Sequence, residues 1–260
     1  MKLNMLGVSV GNSRTRIGAF VDGELQECAT FRNEREDALA EAVTHAYAPL
    51  RDREDVAVLL ASVNDPAAKA IEQQITSTLG QSVRRVERDI TIPIGRQLDP
   101  DAMVGDDRLL NAAAAFDILK QACVVVDAGT AITVDFIDGA GTFHGGAIAA
   151  GAQLQLDVLN KRTDMLPQIE LARPDEPIGH NTAEAMKSGV YHGLRGMVRE
   201  LVERFAEKVG AFPLLVATGG DGNLLFRDYE LVDRVIPNLT MMGLYTTYRV
   251  ATEQQSKADN

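Results

Sequence analysis

The sequence lacks most features that mark secreted, membrane-spanning or metal-cluster proteins. It contains only two cysteines, Cys28 and Cys123, which form no CxxC pair, so neither a disulfide framework nor a thiolate zinc site is predicted. No stretch approaches the roughly 20 apolar residues that span a bilayer. The N-terminus, MKLNMLGVSV, lacks the long apolar region and cleavage site of a secretory signal. We therefore expect a cytoplasmic protein with no membrane partner.

An excess of positive charge is also missing. The 260 residues carry a formal net charge of −11, which argues against a protein that holds nucleic acid through many phosphate contacts. Hydrophobic residues make up 45% and charged residues 24% of the chain. These are ordinary values for a globular protein with a sizeable core. Nucleic acid is therefore not an expected partner, and any phosphate-binding site must be local.

The first part of the chain has the pattern of an α/β protein. Residues 5–31 predict a strand, a Gly-Asn-Ser turn, a second strand, an Asp22-Gly23 hairpin and a third strand. Further along, VAVLLASV at 56–63 predicts a buried strand, and AAKAIEQQITSTL predicts an amphipathic helix. GDDRLLNAAAAFDILKQ predicts another helix, with acidic residues in its first turn. Strands and helices thus alternate after an antiparallel meander.

The same pattern begins again at Cys123. Placing Val126 under Val8 aligns V-D-A-G-T-A-I-T with V-S-V-G-N-S-R-T at an interval of 118 residues, and a second hairpin signal follows at Asp138-Gly139. The second half continues with a helix over 182–210, a strand over 213–220 and a terminal helix from Gly243. We therefore predict two similar lobes, an N-terminal lobe over 1–117 and a C-terminal lobe over 118–260.

Three strand ends carry glycine together with small hydroxyl or amide residues. They are Gly11-Asn12-Ser13, Gly129-Thr130-Ala131 and Thr218-Gly219-Gly220. Such turns expose backbone N–H groups that cradle phosphate oxygens, although single glycine turns are common structural punctuation. Three of them in an acidic protein, two in matching repeats, favour a nucleotide cleft between the lobes.

Acidic residues beside these turns are candidates for phosphoryl transfer. That reaction needs cations to neutralise charge and a carboxylate to orient the attacking hydroxyl. Asp127 lies in the second turn, and Asp106 and Asp107 lie at a helix start. The alternative is that Asp106 and Asp107 only cap the helix and interact with its dipole. The residues alone leave both interpretations open.

Several short motifs together resemble one family. VGDDRLLNAAAA is similar to the G-x-D-R motif of the type III pantothenate kinases, VVDAGTAITVDF to their D-x-G-T-A-x-T-x-D segment, and GGAIAAG to their GGAIxPG. NTAEAMKSGVYHG, VATGGDG and NLTMMGL are similar to three further family segments, in the family's order. The resemblance extends from Gly7 to about Val250.

This resemblance implies a fold and an activity. The fold would be that of the actin-like ATPases, the class of acetate and sugar kinases, Hsp70 and actin, with two ribonuclease-H-like lobes. The protein would usually act as a homodimer. The reaction would transfer the γ-phosphoryl group of ATP to pantothenate, the first step towards coenzyme A. It would need a divalent metal, Mg or Mn, and a monovalent cation, potassium or ammonium.

The resemblance also implies roles for individual residues. Asp107 would accept the proton of the pantothenate hydroxyl, within a substrate-binding strip made of Gly105, Asp106, Asp107 and Arg108. The Arg108 guanidinium has the planar fork that suits a carboxylate. Asp127 would bind the monovalent cation, Thr130 would contact ATP, and Thr182 would contact pantothenate near the dimer interface. The ATP phosphates would be held by the first turn, Ser9, Val10, Gly11, Asn12, Ser13, Arg14, Thr15 and Arg16.

The sequence departs from the family pattern at three positions. Ser9 replaces the aspartate that opens the family's first motif, and a serine cannot supply negative charge to a metal. No aromatic residue precedes the VGDDR strip, where many members have a tyrosine, and Ala150 replaces a proline. The main alternative is a degenerate family member that binds nucleotide or pantothenate as an accessory factor. A further alternative is a sugar-kinase-like enzyme with another hydroxyl substrate.

Overall fold

The computed structural model describes residues 2–33 and 36–258, and the side chains of 36–38 are left out of the description. The chain forms two compact units. The first contains the described residues up to Ile94, Asp99–Asp117 and the segment from Leu239. The second contains Gly95–Leu98 and Ile118–Asn238. These units differ from the predicted lobes of 1–117 and 118–260 mainly at the C-terminus, where the closing segment groups with the first unit.

The strands follow the predicted pattern closely in the two meanders. They are β1 Met5–Val10, β2 Arg14–Val21, β3 Glu24–Arg32, β4 Ala57–Ser62, β5 Val83–Arg85, β6 Gly95–Arg96, β7 Cys123–Ala128, β8 Ala131–Ile137, β9 Thr142–Ala150, β10 Leu214–Thr218 and β11 Arg234–Val235. The helices are α1 Glu36–Tyr47, α2 Asp65–Leu79, α3 Asp106–Leu119, α4 Ala152–Lys161, α5 Thr182–Val209, α6 Gly222–Phe226 and α7 Leu239–Ala258.

The first unit is built on a sheet of order β3-β2-β1-β4-β5. β1, β2 and β3 are antiparallel, whereas β4 runs parallel to both β1 and β5. The Asp22-Gly23 hairpin is confirmed, since both residues have positive φ, 51° and 86°, as a two-residue Asp-Gly turn requires. Leu6, Val8 and Val10 share one core with the apolar faces of α1 and α2.

Helix α7 belongs to the first unit because of its contacts with β1 and β4. A Cβ placed on Gly7 of β1 would lie 2.9 Å from Met241 Cε and 3.5 Å from Leu244 Cδ1. Gly7 alternates with Leu6 and Val8 along the strand, so α7 packs on the opposite face from α1 and α2. A contact so distant in sequence has no local signal, and the assignment of 239–260 to the C-terminal lobe could not anticipate it.

The second unit repeats the topology of the first. Its sheet has the order β11-β10-β7-β8-β9-β6, with β7, β8 and β9 antiparallel and β10 parallel to β7 and β11. Five of its strands, read from β9 to β11, match the order β3-β2-β1-β4-β5. Met5 and Cys123 open the first strands, Glu24 and Thr142 open the third strands, and each pair is 118 positions apart. The two predicted meanders are therefore equivalent strands.

One hairpin differs from its prediction. In the second meander the turn extends over Asp138 to Gly141, and it is Gly141, not Gly139, that has a positive φ of 78°. The Asp138 carboxylate accepts hydrogen bonds from Ala140 N and Thr142 N, both at 2.9 Å. This longer turn is closed by the aspartate side chain, so Asp-Gly did not form the two-residue turn that it usually indicates.

The second unit has its own core. Val124, Val126 and Ala128 of β7 pack in one cluster with Leu156 of α4 and Tyr191 of α5. None of the helices in the part of the chain that the structure describes is both long and apolar enough to cross a bilayer.

Candidate functional site

The first glycine turn closes tightly after β1. Gly11 N donates to Arg14 O at 2.9 Å, and a Cβ on Gly11 would lie 3.0 Å from that oxygen. A larger residue at position 11 would therefore push against the backbone of the turn.

Asn33, the residue that follows β3, stabilises this turn with its side chain. Asn33 Nδ2 donates to Gly11 O at 2.7 Å and to Asn12 O at 3.2 Å, while Asn33 Oδ1 accepts from Thr15 Oγ1 at 2.8 Å. Asn33 N also donates to Ser13 O at 3.1 Å. Sequence analysis missed Asn33, because nothing near it in the sequence marks a residue that closes a turn 20 positions away.

The residues predicted to hold ATP phosphates do not all face the same way. Val10 and Thr15 are buried and are register partners, as are Ser9 and Arg16, which are half-buried. Side chains alternate along strands, so Val10 and Thr15 face the core and their side chains are not available to a ligand. Asn12, Ser13 and Arg14 are exposed at the turn.

The predicted substrate strip lies at the same edge of the sheet as this turn. Val63, which follows β4, donates its N–H to Val10 O at 3.1 Å. A Cβ on Gly105 would lie 3.1 Å from Val63 Cγ1 and 2.6 Å from Asp107 Oδ1. Glycine at 105 therefore leaves room for the Asp107 carboxylate. Val63 connects the turn to the strip, and sequence analysis did not single it out.

The two aspartates at the start of α3 have different surroundings. Asp106 Oδ2 accepts from Ser62 N at 3.4 Å, so Asp106 connects α3 to the end of β4. Asp107 Oδ1 accepts from Arg108 N at 2.8 Å. Burial raises the pKa of the Asp107 carboxyl above its ordinary value, and the hydrogen bond from the Arg108 N–H opposes that rise only in part. Asp107 therefore combines a first-turn helix contact with the raised proton affinity that suits a general base.

In the second unit, the turn after β7 packs against the start of α4. Gly129 N donates to Ala131 O at 2.9 Å, and Gly151 N donates to Thr130 O at 3.0 Å. A Cβ on Gly151 would collide with Gly129 O. Thr130, the predicted ATP contact, therefore lies in a turn whose shape depends on a glycine from another element.

The end of β10 lies beside the same turn. Thr218 is the register partner of Asp127, and Gly219 follows it with a positive φ of 92°. A Cβ on Gly219 would collide with Ala128 O and would lie 2.5 Å from Asp127 Oδ1. Gly219 thus gives the Asp127 carboxylate space beside the strand end, and the structure brings two of the predicted glycine turns together around Asp127.

One polar atom in this cluster lacks a partner. The Thr218 hydroxyl is buried, and no hydrogen-bond partner for its oxygen is found within residues 2–33 and 36–258. A buried hydroxyl without a partner costs about 1–3 kcal/mol, so the arrangement fits a ligand that this oxygen could contact. Over the same residues, no group of three or more His, Cys, Asp or Glu side chains could hold a metal ion.

Thr182 opens α5 in the second unit. The helix begins with a reciprocal cap, in which Asn181 Oδ1 accepts from Glu184 N at 3.0 Å and Glu184 Oε2 accepts from His180 N at 2.8 Å. Thr182 itself is exposed. The cap fixes where the helix starts and so fixes the position of Thr182.

Comparison with known proteins identifies the family. The family model described as type III pantothenate kinase matches residues 5–204. A type III pantothenate kinase of Dehalococcoides mccartyi (strain ATCC BAA-2266 / KCTC 15142 / 195) is 33% identical over 260 aligned positions, which cover 96% of this chain and 99% of the relative. The chain belongs to the type III pantothenate kinase family.

A second relative supports the family assignment, and solved structures support the fold. A type III pantothenate kinase of Moorella thermoacetica is 32% identical and covers 94% of this chain and 98% of its own. A conserved protein of Campylobacter jejuni, assigned to the Baf family of transcriptional activators, superposes with a TM-score of 0.62 at 18% identity, covering 95% of this chain and 99% of that one. Component A of (R)-2-hydroxyglutaryl-CoA dehydratase from Acidaminococcus fermentans gives 0.57 at 14% identity, covering 96% and 99%. The predicted actin-like ATPase fold is confirmed.

The departure from the type III pantothenate kinase pattern at Ser9 can now be located. Ser9 lies in β1 at the position that corresponds to Asp127 of β7, opposite Arg16 in β2 and Ala61 in β4. At this position the first unit has the Ser9 hydroxyl, with the Arg16 side chain on the neighbouring strand, whereas the second unit has the Asp127 carboxylate.

Proposed function

We propose that the protein transfers the γ-phosphoryl group of ATP to pantothenate, giving 4'-phosphopantothenate, the first step towards coenzyme A. The observation that carries this proposal is the half-buried Asp107 carboxylate at the start of α3, next to the strand ends that form the first glycine turn. Membership of the type III pantothenate kinase family supports the choice of substrate. The same proposal places the reaction in the cytoplasm.

In this reaction Asp107 orients the pantothenate hydroxyl and accepts its proton. The hydroxyl oxygen forms a bond to the γ-phosphorus, the bond from that phosphorus to the bridging oxygen breaks, and ADP leaves with the electron pair. Arg108, next in the strip with Gly105 and Asp106, is proposed to bind the substrate carboxylate through its guanidinium. The backbone N–H groups of the first turn, together with Thr130, are proposed to bind ATP phosphates.

We also propose that Asp127 and Thr218 bind a monovalent cation, potassium or ammonium. A carboxylate and a hydroxyl are hard oxygen donors of the kind that alkali and alkaline-earth ions prefer, and the Thr218 oxygen is buried without a partner among the described residues. The cation would supply positive charge close to the nucleotide. The divalent metal, Mg or Mn, is proposed to be held mainly by the ATP phosphates, as is usual for Mg²⁺.

A homodimer is the proposed assembly. Helices α4 and α5 pack together in the second unit, and Leu154 and Val158 of α4 are 40% and 48% exposed. The outer face of α5 carries a stripe of small exposed residues, Ala185, Gly189, Gly193 and Gly196. Apolar side chains beside a flat helix face favour close packing against a second copy. Thr182, at the start of α5, would then lie near that interface.

A degenerate family member that binds ATP or pantothenate without efficient transfer is the second candidate. The observation that favours it is Ser9, which leaves the first unit without the carboxylate that the second unit has at the equivalent position. The loss of one carboxylate would weaken attraction for a divalent metal more than contacts between ATP and backbone N–H groups.

The two candidates are separated by measuring ADP release with purified protein, with and without pantothenate, potassium and Mg²⁺. We expect pantothenate-dependent turnover in the wild type, and a lower Mg²⁺ requirement in Ser9→Asp. If the wild type is inactive and Ser9→Asp is active, the degenerate-binder proposal is correct. If neither releases ADP while both bind ATP, the protein binds nucleotide without transferring phosphate to pantothenate, and the kinase proposal is wrong.

A further inference from the structure

We infer that Asn33 is a positioning residue that aims the N–H groups of the first glycine turn at the ATP phosphates. This inference rests on the proposed function, because it assigns the turn to ATP. The inference is based on two observations. The Asn33 side chain makes hydrogen bonds to three residues of the turn, and these bonds determine how the peptide groups of the turn are oriented.

Asn33 uses both ends of its amide. The Nδ2 group donates to Gly11 O at 2.7 Å and to Asn12 O at 3.2 Å, and Oδ1 accepts from the buried Thr15 hydroxyl at 2.8 Å. The backbone N–H of Asn33 holds the next carbonyl, Ser13 O, at 3.1 Å. Three successive carbonyls of the turn therefore point towards one residue.

The direction of these carbonyls fixes the direction of the N–H groups. The structure has no cis peptide bond in the residues it describes. In a trans peptide the C=O and the following N–H lie in one plane and point in opposite directions. The carbonyls of Gly11 and Asn12 face Asn33, so the N–H groups of Asn12 and Ser13 point away from it. Successive N–H groups on one side of a turn form an anion-binding concavity.

Thr15 affects the turn indirectly, through its hydrogen bond to Asn33. Its side chain faces the core and is fully buried, so it does not touch the nucleotide through its hydroxyl. Its hydroxyl occupies Asn33 Oδ1 and thereby leaves the Nδ2 group directed at the two carbonyls. The predicted ATP-binding role of Thr15 thus becomes a positioning role, exerted through Asn33.

The test is Asn33→Asp, which keeps the size of the side chain and the acceptor for Thr15 but removes both donors. Losing about two hydrogen bonds should raise KM for ATP, and the Kd of a nonhydrolysable ATP analogue measured by calorimetry, by about tenfold. The KM for pantothenate should remain unchanged. Asn33→Gln restores a donor and should recover part of the affinity for the analogue.

A matched control removes a hydrogen bond from an asparagine side chain to a backbone carbonyl that is far from the first turn in the sequence. Asn160 Nδ2 donates to Leu166 O at 2.8 Å in the second unit, so Asn160→Asp should lower the melting temperature without changing the Kd of the analogue. The inference is wrong if Asn33→Asp binds the analogue as tightly as the wild type, or if both variants weaken it equally. Because this readout is binding, it still decides the role of Asn33 if the wild type fails to phosphorylate pantothenate.

If Asn33→Asp does not fold, Thr15→Val and Thr15→Ser take its place. Valine removes the hydroxyl that holds Asn33 Oδ1 at nearly the same volume, whereas serine keeps the hydroxyl and loses only the methyl group. We expect Thr15→Val to weaken analogue binding several-fold, by the loss of about one hydrogen bond, and Thr15→Ser to match the wild type. Equal binding by the two Thr15 variants would overturn the inference.

Discussion

The environment of Asp107 differs from that of an ordinary exposed carboxylate. Its pKa is raised chiefly by burial, which means that its ionised form is disfavoured in the folded state. We expect Asp107→Asn to lower turnover by about a hundred- to ten-thousand-fold, the usual loss when a general base is removed. In the wild type, kcat/KM should fall with decreasing pH through the raised pKa, which lies above the ordinary aspartate value of about 3.9.

The same pKa shift predicts how stability depends on pH. Between the ordinary and the raised pKa the folded state binds more protons than the unfolded state, so wild-type stability falls as pH rises through that interval. Asp107→Asn has no such term and should be at least as stable as the wild type at neutral pH. Urea unfolding of both proteins across the acid range measures the difference, which should vanish once both states of the wild type are protonated. An Asp107→Asn variant that is less stable at neutral pH would mean that the helix contact outweighs the cost of burial.

Thr218 gives a residue-scale test of the proposed cation site. Replacing the partnerless hydroxyl by Thr218→Val should stabilise the protein, or leave it unchanged, in choline chloride, because an unsatisfied buried hydroxyl costs about 1–3 kcal/mol. In potassium chloride of equal ionic strength the wild type should gain stability through cation binding, and the variant should gain less. The melting temperatures of the two proteins in the two salts are the measurement.

Asp127→Asn is the companion variant, since it removes the charge of the same site and keeps its shape. It too should lose the potassium-dependent rise in melting temperature. A Thr218→Val protein that keeps the full rise would show that the hydroxyl is not a cation ligand.

At the residue scale, the sequence predicted which segments form the candidate site but not the contacts that position them. The strip at 105–108 and the turn at 9–16 were recognisable from their glycines and acids. Asn33 and Val63 were not, because each acts through a contact between segments that are far apart in the chain. The raised pKa of Asp107 also could not be predicted, since it depends on burial.

At the scale of elements, α7 holds α3 through a buried contact. Thr240 Oγ1 donates to Asn111 Oδ1 at 2.9 Å, and a Cβ on Gly243 would collide with Leu110 O. Further along, Arg249 Nη2 lies 2.8 Å from Asp117 Oδ1. Helix α3, which carries Asp107 in its first turn, is therefore fixed along its length by a helix more than 120 positions later.

We expect Thr240→Val to destabilise the first unit by about 1–3 kcal/mol, because it leaves a buried acceptor on Asn111 with one donor fewer. Thr240→Ser keeps the hydroxyl and should cost much less. Thr44→Val is a control, since it removes an exposed threonine bond to Ala40 O within α1. Urea denaturation compares the three, and equal midpoints for Thr240→Val and the wild type would mean that the buried bond contributes nothing.

The elements that sequence analysis missed are mostly short or weakly patterned. β5, β6, α6 and β11 have two to five residues each, too few for a periodic pattern to emerge. α4 begins only two residues after the end of β9, so its start was not distinguished from the last strand of the predicted meander. The long, strongly patterned α3 and α5 were predicted within about two residues, in keeping with the usual uncertainty of helix ends.

At the scale of the whole molecule, the two units share a topology but differ in which of their surfaces are covered. The first unit uses α7 to cover the second face of its sheet. In the second unit, the outer surfaces of α4 and α5 leave Val158 and the three glycines of the small stripe, Gly189, Gly193 and Gly196, open to solvent. Glycines inside a helix weaken it by roughly 1 kcal/mol each relative to alanine, so three in an exposed stripe favour a role in close packing.

The homodimer proposal therefore predicts that Gly193→Arg yields a monomer. A Cβ at Gly193 meets nothing within its own chain, and arginine is a good helix former, so the substitution should leave the fold intact while placing a long charged side chain in the interface. Gln73→Arg adds the same side chain to the exposed surface of α2 and should remain dimeric. Sedimentation equilibrium of the wild type and both variants measures the assembly. A wild type that sediments as a monomer, or a Gly193→Arg protein that stays dimeric, would rule out this face as the interface.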